Sequence, residues 1–156
     1  MPFWKIREIR AKDFEEFSHL ILGVYSENPR SMKFPSIPTE SELKVLLDYK
    51  LALLSRHESV DYVAVADGRV VAECDVAIGN RSTIGIIVEK GMRKKGLGQE
   101  LLMRTLKRAK ELGANSVVAE IYGGNVAAME FFQSNGFSYA DDGKEGKSVV
   151  LLQKLL

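Results

Sequence analysis

Between about Gly98 and Leu112 the chain carries a helical pattern, with Leu102, Leu106 and Ala109 on one side and Gly113 as its stop. Strand-like runs flank it, Thr83 to Val88 before and Ser116 to Tyr122 after. Strand, helix, strand in that order demands a parallel pair, because such a crossover is too long for a hairpin. The neighbouring strands read as an antiparallel meander. Tyr62 to Ala66 meets Arg69 to Ile78 through the tight turn Asp67-Gly68, and a second turn at Gly79-Asn80-Arg81 leads into Thr83. Two amphipathic helices precede the meander. One begins near Lys12 or Asp13 and places Phe14, Phe17, Ile21 and Val24 at helical spacing. The other follows Pro38, with Thr39 or Ser41 as its cap and Leu43, Leu46, Leu47, Leu51 and Leu54 on its apolar face. The segment from Pro29 to Pro38 joins them as an exposed loop. After Tyr122 come a short helix from Asn125 to Asn135 stopped by Gly136, a short strand near Phe137 to Ala140, and a final strand from Lys147 to Leu155. The resulting order, β-α-α-β-β-β-α-β-α-β with the short extra strand, predicts an α+β fold with a largely antiparallel sheet.

A chain of 156 residues, 46% of them hydrophobic, matches one packed domain, taken here as residues 1–156. Twenty-two basic residues against 21 acidic ones leave a net charge of +1, which provides no global field for nucleic acid or an anionic membrane. The single cysteine, Cys74, cannot form an internal disulfide and is too little for a zinc cluster, so no metal is expected. The start of the sequence lacks a signal-like apolar region, and no run reaches the roughly 18 apolar residues of a membrane span. The expectation is a cytoplasmic protein.

The chemistry concentrates in Val88-Glu89-Lys90-Gly91-Met92-Arg93-Lys94-Lys95-Gly96-Leu97-Gly98-Gln99, between a strand and the start of the long helix. Gly96 and Gly98 allow a turn whose backbone N–H groups converge on an anion, the helix start adds partial positive charge, and Arg93, Lys94 and Lys95 stand beside it. A solvated basic helix start would show the same composition. A dinucleotide fingerprint needs glycine where Leu101 stands, and a P-loop needs a Gly-Lys-Ser/Thr that is absent.

The run Arg93-x-x-Gly96-x-Gly98 after a hydrophobic strand resembles motif A of the GNAT acetyltransferases. Farther on, Asn125-x-x-Ala128-x-x-Phe131-Phe132-x-x-x-Gly136-Phe137 resembles that family's motif B. The likeness runs in register from about Tyr62 to Phe137. It implies acetyl-CoA as cosubstrate, with the pantetheine arm beside a splayed strand and held by the backbone of Ile86, Ile87 and Val88. It also implies Arg93, Lys94, Lys95, Gly96, Leu97, Gly98 and Gln99 around the pyrophosphate, Asn125 on the pantetheine, and Phe131 and Phe132 lining the pocket. The two phenylalanines could equally be core aromatics.

Transfer to an amine requires a proton acceptor. Glu120 resembles the base of the family branch that acetylates protein N-termini, and strand alternation puts it on one side with Tyr122, opposite Val117, Ala119 and Ile121. Glu73 and Asp75 are further candidates, or face water; His19 and His57 read as surface or capping residues. The family often protonates the departing thiolate with a tyrosine where this chain has Phe132; Tyr122, Tyr139 or water could substitute. Cys74 reads as a buried structural thiol. The preferred scheme is direct attack by the amine in a ternary complex, with the oxyanion held by strand N–H near Val88. The acceptor is then an amine of a small molecule or of a protein or peptide, met by the Val24 to Pro38 segment, where Tyr25 and Phe34 are candidate wall residues. A non-catalytic acetyl-CoA sensor of the same fold is the alternative. Val149 to Leu152 belongs either to the core or to a homodimer interface.

Overall fold

The computed structural model describes residues 3–122, 124–140 and 149–156. The strand left without bounds by the sequence pattern is β1 (Lys5–Glu8). Then follow α1 (Phe14–Glu27), α2 (Glu40–Ser55), β2 (Ser59–Ala66), β3 (Arg69–Ala77) and β4 (Thr83–Val88). The second half comprises α3 (Leu97–Glu111), β5 (Ser116–Tyr122), α4 (Val126–Ser134), β6 (Ser138–Tyr139) and β7 (Val149–Leu155). The expected α+β order holds, including the short extra strand. Lys147 and Ser148, the expected start of the last strand, lie outside the described residues.

The local signals act as anticipated. Asp67 and Gly68 both take positive φ, 50° and 74°, as a tight hairpin between right-twisted strands requires. Thr39 caps α2, accepting from the Glu42 N–H at 3.2 Å, while the Glu42 carboxylate accepts from the Thr39 N–H at 3.1 Å. Gly113 and Gly136 end α3 and α4 at φ 102° and 91°.

Among the described residues seven strands form one sheet in the order β1-β2-β3-β4-β5-β7-β6, antiparallel except at β4–β5. Both faces are covered. On one, α3 contributes Leu97, Leu101, Leu102 and Ala109 to a cluster with Cys74, Ala119 and Phe132. On the other, Phe17, Leu20 and Ile21 of α1 meet Leu43 and Leu47 of α2 over Val63. Each fully buried large side chain here contributes roughly 1.5–3 kcal/mol. β7 lies between β5 and β6 and Leu152 is fully buried, so this part of the Val149 to Leu152 run belongs to the core.

The parallel pair is short. β3 follows β4 along its whole length, from Ala77↔Thr83 to Ala72↔Val88, and β7 follows all of β5. Between β4 and β5, however, only Thr83↔Val118 and Ile84↔Ala119 are paired. From Gly85 and Glu120 onward the sheet opens into a wedge whose lips are the last four residues of β4 and the last three of β5.

Candidate active site

The turn from β4 into α3 sits at the open end of this wedge. Lys94 and Gly96 take left-handed φ, 60° and 88°, which reverses the chain so that α3 starts at Leu97. Gly96 is the cap and has no side chain to satisfy the helix start, and Glu100 N is the first donor bonded back, to Gly96 O at 3.1 Å. The N–H groups of Leu97, Gly98 and Gln99 precede that first bond and are left to an external acceptor, at the positive end of the helix dipole. Lys94, Lys95 and Gln99 are exposed around it, whereas the Leu97 side chain is fully buried in the core. Lys95 extends its ammonium over the Phe3 ring, 5.6 Å from its centroid.

Arg93 has a different setting. Its guanidinium forms a bidentate pair with Glu27 at the end of α1, at 2.5 and 2.7 Å, and its Nε donates to Val88 O at 2.9 Å. It therefore ties the turn to the tip of β4 and to α1, and Glu27 neutralises it. Sequence reasoning missed Glu27, which is 66 positions away and carries no local signal.

Gly98 lies inside the first turn of α3 and serves contact rather than reversal. A Cβ there would stand 3.2 Å from Phe131 Cε1 and 3.8 Å from Val88 Cγ2, so the missing side chain lets α4 close against the α3 start and the β4 lip. Phe131 is half-buried, and its ring meets Phe132 edge-on at 5.5 Å. Phe132 is 4% exposed and packs on Phe137 at 4.9 Å, which makes it a core aromatic. Asn125 caps α4 by accepting from Ala128 N–H at 3.2 Å.

On the β5 lip, the Tyr122 hydroxyl donates to Glu120 Oε2 at 2.7 Å, and Lys33 Nζ lies 3.1 Å from the same oxygen. Lys33 also sits 5.6 Å from the centroid of the Tyr122 ring. The Tyr122 hydroxyl holds the Glu120 carboxyl below the usual glutamate range against its partial burial, with Lys33 adding to the effect. Burial pushes the Tyr122 phenol up, and its bond to Glu120 pushes it further. Tyr25 and Phe34 pack edge-on at 6.4 Å, both half-buried, and brace the α1–α2 connection from which Lys33 projects.

The same face carries a group of charges whose centre the sequence did not disclose. Lys50 of α2 reaches Glu73 at 3.1 Å and both Asp61 and Asp75 at 3.5 Å. Glu73 therefore does not face water; it is 4% exposed. The available signal was a lysine within the apolar stripe of α2, one turn after Leu46 and Leu47. Burial, followed by repulsion from Glu73, pushes the Asp61 carboxyl far up. Cys74, on the opposite face, is fully buried and its thiol is pushed up by burial. His19 and His57 are exposed.

A mixed sheet opened beside a glycine-capped helix start is the architecture this chain shares with solved acetyltransferases. The chain belongs to the acetyltransferase (GNAT) family, whose family model matches residues 14–137. Over 62 residues it is 32% identical to "Putative phosphinothricin acetyltransferase YwnH" of Bacillus subtilis (strain 168); the match spans 40% of this chain and 38% of that relative. Among solved structures, the GNAT domain of PAT from S. lividans superposes with a TM-score of 0.81 at 17% identity, over 98% of this chain and 90% of that one. A phosphinothricin acetyltransferase from Sinorhizobium meliloti in complex with AcCoA gives 0.79 at 19%, over 99% and 89%. The PaiA N-acetyltransferase of Thermoplasma acidophilum in complex with coenzyme A gives 0.77 at 18%, over the full length of both.

Proposed function

We propose that this chain is an acetyl-CoA-dependent N-acetyltransferase, a single domain over residues 1–156, that acetylates a primary amine of a small molecule, protein or peptide by direct attack in a ternary complex. The wedge between Gly85–Val88 and Glu120–Tyr122 carries the proposal, because it joins an unpaired strand edge, an unsatisfied helix start and a carboxylate in one place. No described helix is long and apolar enough to cross a membrane. A cytoplasmic location is part of the proposal.

The residues fit acetyl-CoA. Along Ile86, Ile87 and Val88 the β4 lip is paired with β3 but has no β5 partner, and that edge suits an extended amide-bearing arm taken up like an added strand. The N–H groups of Leu97, Gly98 and Gln99, with Lys94 and Lys95 beside them, suit a pyrophosphate. A side chain at position 98 would strike Phe131, so the wall on that side depends on glycine. Asn125 and Phe131 border the wedge on the α4 side, with Phe132 supporting Phe131 from the core. Bound there, acetyl-CoA supplies an acetyl thioester.

The protein's part is to manage the acceptor's proton. Glu120 is held in its ionised form, half-exposed on the acceptor face of the sheet, and is suited to receive a proton from an ammonium. The alkylammonium of Lys33 rests on it at 3.1 Å, which supports reading the carboxylate as a partner for an acceptor ammonium. With no hydroxyl at Phe132, the Tyr122 hydroxyl on the β5 lip is the proposed proton donor to the departing thiolate.

Calorimetric titration with acetyl-CoA and CoA, followed by thiol release against mixed amines and short peptides, tests the proposal. Binding with release supports the transferase. Binding without release across the panel favours the non-catalytic sensor, which the hydroxyl-free Phe132 would suit. No binding overturns both readings.

A further inference from the structure

The cluster around Lys50 holds more carboxyls than cations. Three carboxylates, Asp61, Glu73 and Asp75, share one lysine, and two of them are closed off, with side-chain exposures of 2% and 5%. Asp61 Oδ1 is fully buried without a hydrogen-bond partner among the described residues, whereas the equally buried Glu73 Oε2 faces the Lys50 ammonium at 3.1 Å. A buried oxygen such as Asp61 Oδ1 is costly to leave unsatisfied. Burial raises the carboxyls of both Asp61 and Asp75, so the cluster favours protons that a cation from outside can replace. Among its described members Asp75 is the one that opens to solvent. The Asp75 side chain is 33% exposed.

Sheet register shows where that opening leads. Asp75 pairs with Gly85 of β4 and Asp61 with Asp75, so all three project on the α1–α2 face. Thr83 is in register with Val118 across the parallel pair, and two residues on in the same phase come Gly85 and Glu120. Asp75 and Glu120 thus face the same way from the strands on either side of Gly85. Gly85 is exposed, and a Cβ on it would stand 3.2 Å from Asp75 Oδ1. Glycine leaves the floor between the two carboxylates open. One strand spacing of about 4.8 Å separates Asp75 from Gly85, and the opened gap from Gly85 to Glu120 exceeds a second, so the two backbones stand more than roughly 10 Å apart.

We propose that Asp75, standing beside the bare floor of Gly85 and backed by the Lys50 cluster, docks a second cationic group of the acceptor, so that the preferred acceptor is a small dicationic amine. One ammonium is held at Asp75 while the other amine takes the place of the Lys33 ammonium at Glu120. This rests on the amine-transferase reading and adds a substrate class to it. Burial disfavours the ionised form of Asp75, and a cation docked beside it favours that form again.

Calorimetry on the full chain with CoA bound tests this, using pentylamine and the diamines from 1,3-diaminopropane to 1,6-diaminohexane. The wild type is expected to bind its best diamine at least tenfold more tightly than pentylamine. Asp75→Asn is expected to remove that margin while CoA affinity stays at the wild-type value. Asp75→Glu keeps the charge but reaches about one methylene further, and it is expected to shift the optimum to a shorter diamine. Equal binding of mono- and diamine by the wild type, a margin kept by Asp75→Asn, or an unmoved optimum in Asp75→Glu would each overturn the proposal. Should CoA itself fail to bind, the transferase reading fails instead, and a diamine margin measured without CoA still reports on Asp75.

Discussion

Tyr122 bonds to Glu120 at 2.7 Å from two positions along the same strand, so the carboxylate on the wedge lip is oriented and kept ionised by its own neighbour. A glutamate held below its usual range contributes stability above that range, and the contribution is lost as pH falls through the lowered folded-state value. For catalysis, Glu120 is ionised throughout the neutral region and does not set an acid limb there. The limb near neutrality or above should instead follow the acceptor, moving when a less basic amine is used. Glu120→Gln should lower kcat by about 10² or more at pH 7. Its deficit should narrow at high pH, where solvent already deprotonates the amine. A rate and pH profile unchanged by Glu120→Gln would remove Glu120 from the mechanism. Tyr122→Phe should move the ionisation of Glu120 back up, as seen in carboxylate NMR titration.

Gly98→Ala separates stability from binding. Alanine gains up to about 1 kcal/mol of helix propensity over glycine in a helix interior. The added methyl nevertheless meets Phe131 at 3.2 Å, and the ring must give by a few tenths of an ångström toward the wedge. The melting temperature should therefore change little, while affinity for CoA falls about tenfold, or about 1.4 kcal/mol. Unchanged CoA affinity in a folded Gly98→Ala protein would show that the Phe131 wall does not border the cofactor.

Much of the frame was legible because it is written locally. The Asp67-Gly68 turn, the Thr39 cap and the stops at Gly113 and Gly136 each require a residue type at one position, and the helical stripes repeat the same information over several turns. The wedge was not legible from periodicity, because the pattern that makes Thr83 to Val88 a strand does not say that pairing with β5 ends after Ile84. It entered only through the family resemblance. Gly98 was read as a turn glycine beside Gly96, yet only Gly96 has positive φ; the reason for Gly98 lies in a ring on another helix. Lys50 and Arg93 illustrate the same limit, since their partners are set by tertiary packing and leave no mark at neighbouring positions.

Asp61 should behave as a stability liability at high pH. Burial raises its carboxyl, so the folded state holds a proton that the unfolded chain has released. Stability then falls as pH climbs from the ordinary aspartate range toward the raised folded-state value. Asparagine removes the titration and leaves Lys50 with Glu73 at 3.1 Å and Asp75 at 3.5 Å. Thermal melts of Asp61→Asn against wild type should show a gain in melting temperature at pH 8 that shrinks toward pH 5. A constant difference across that range would mean that Asp61 is not the titrating group.

Arg93 can act on the cofactor directly or through the shape of the turn, and Glu27 distinguishes the two. In this structure the guanidinium pairs with Glu27 and caps Val88 O, so the simplest role is to hold the β4 tip and the α3 approach in place. If that is its role, Arg93→Ala and Glu27→Ala both loosen the turn, both weaken CoA binding, and the double variant is hardly worse than either single one, because the pair acts as a unit. If Arg93 instead releases Glu27 and contacts the pyrophosphate, Glu27→Ala should leave affinity unchanged or strengthen it, since a neutralising carboxylate is gone, while Arg93→Ala weakens it. Calorimetric CoA affinities for the wild type, the two single variants and the double variant complete the cycle. The geometry favours the first outcome, with a coupling of opposite sign to the two losses and close to the smaller of them in size. Strict additivity would show that the ion pair does not mediate the effect of Arg93.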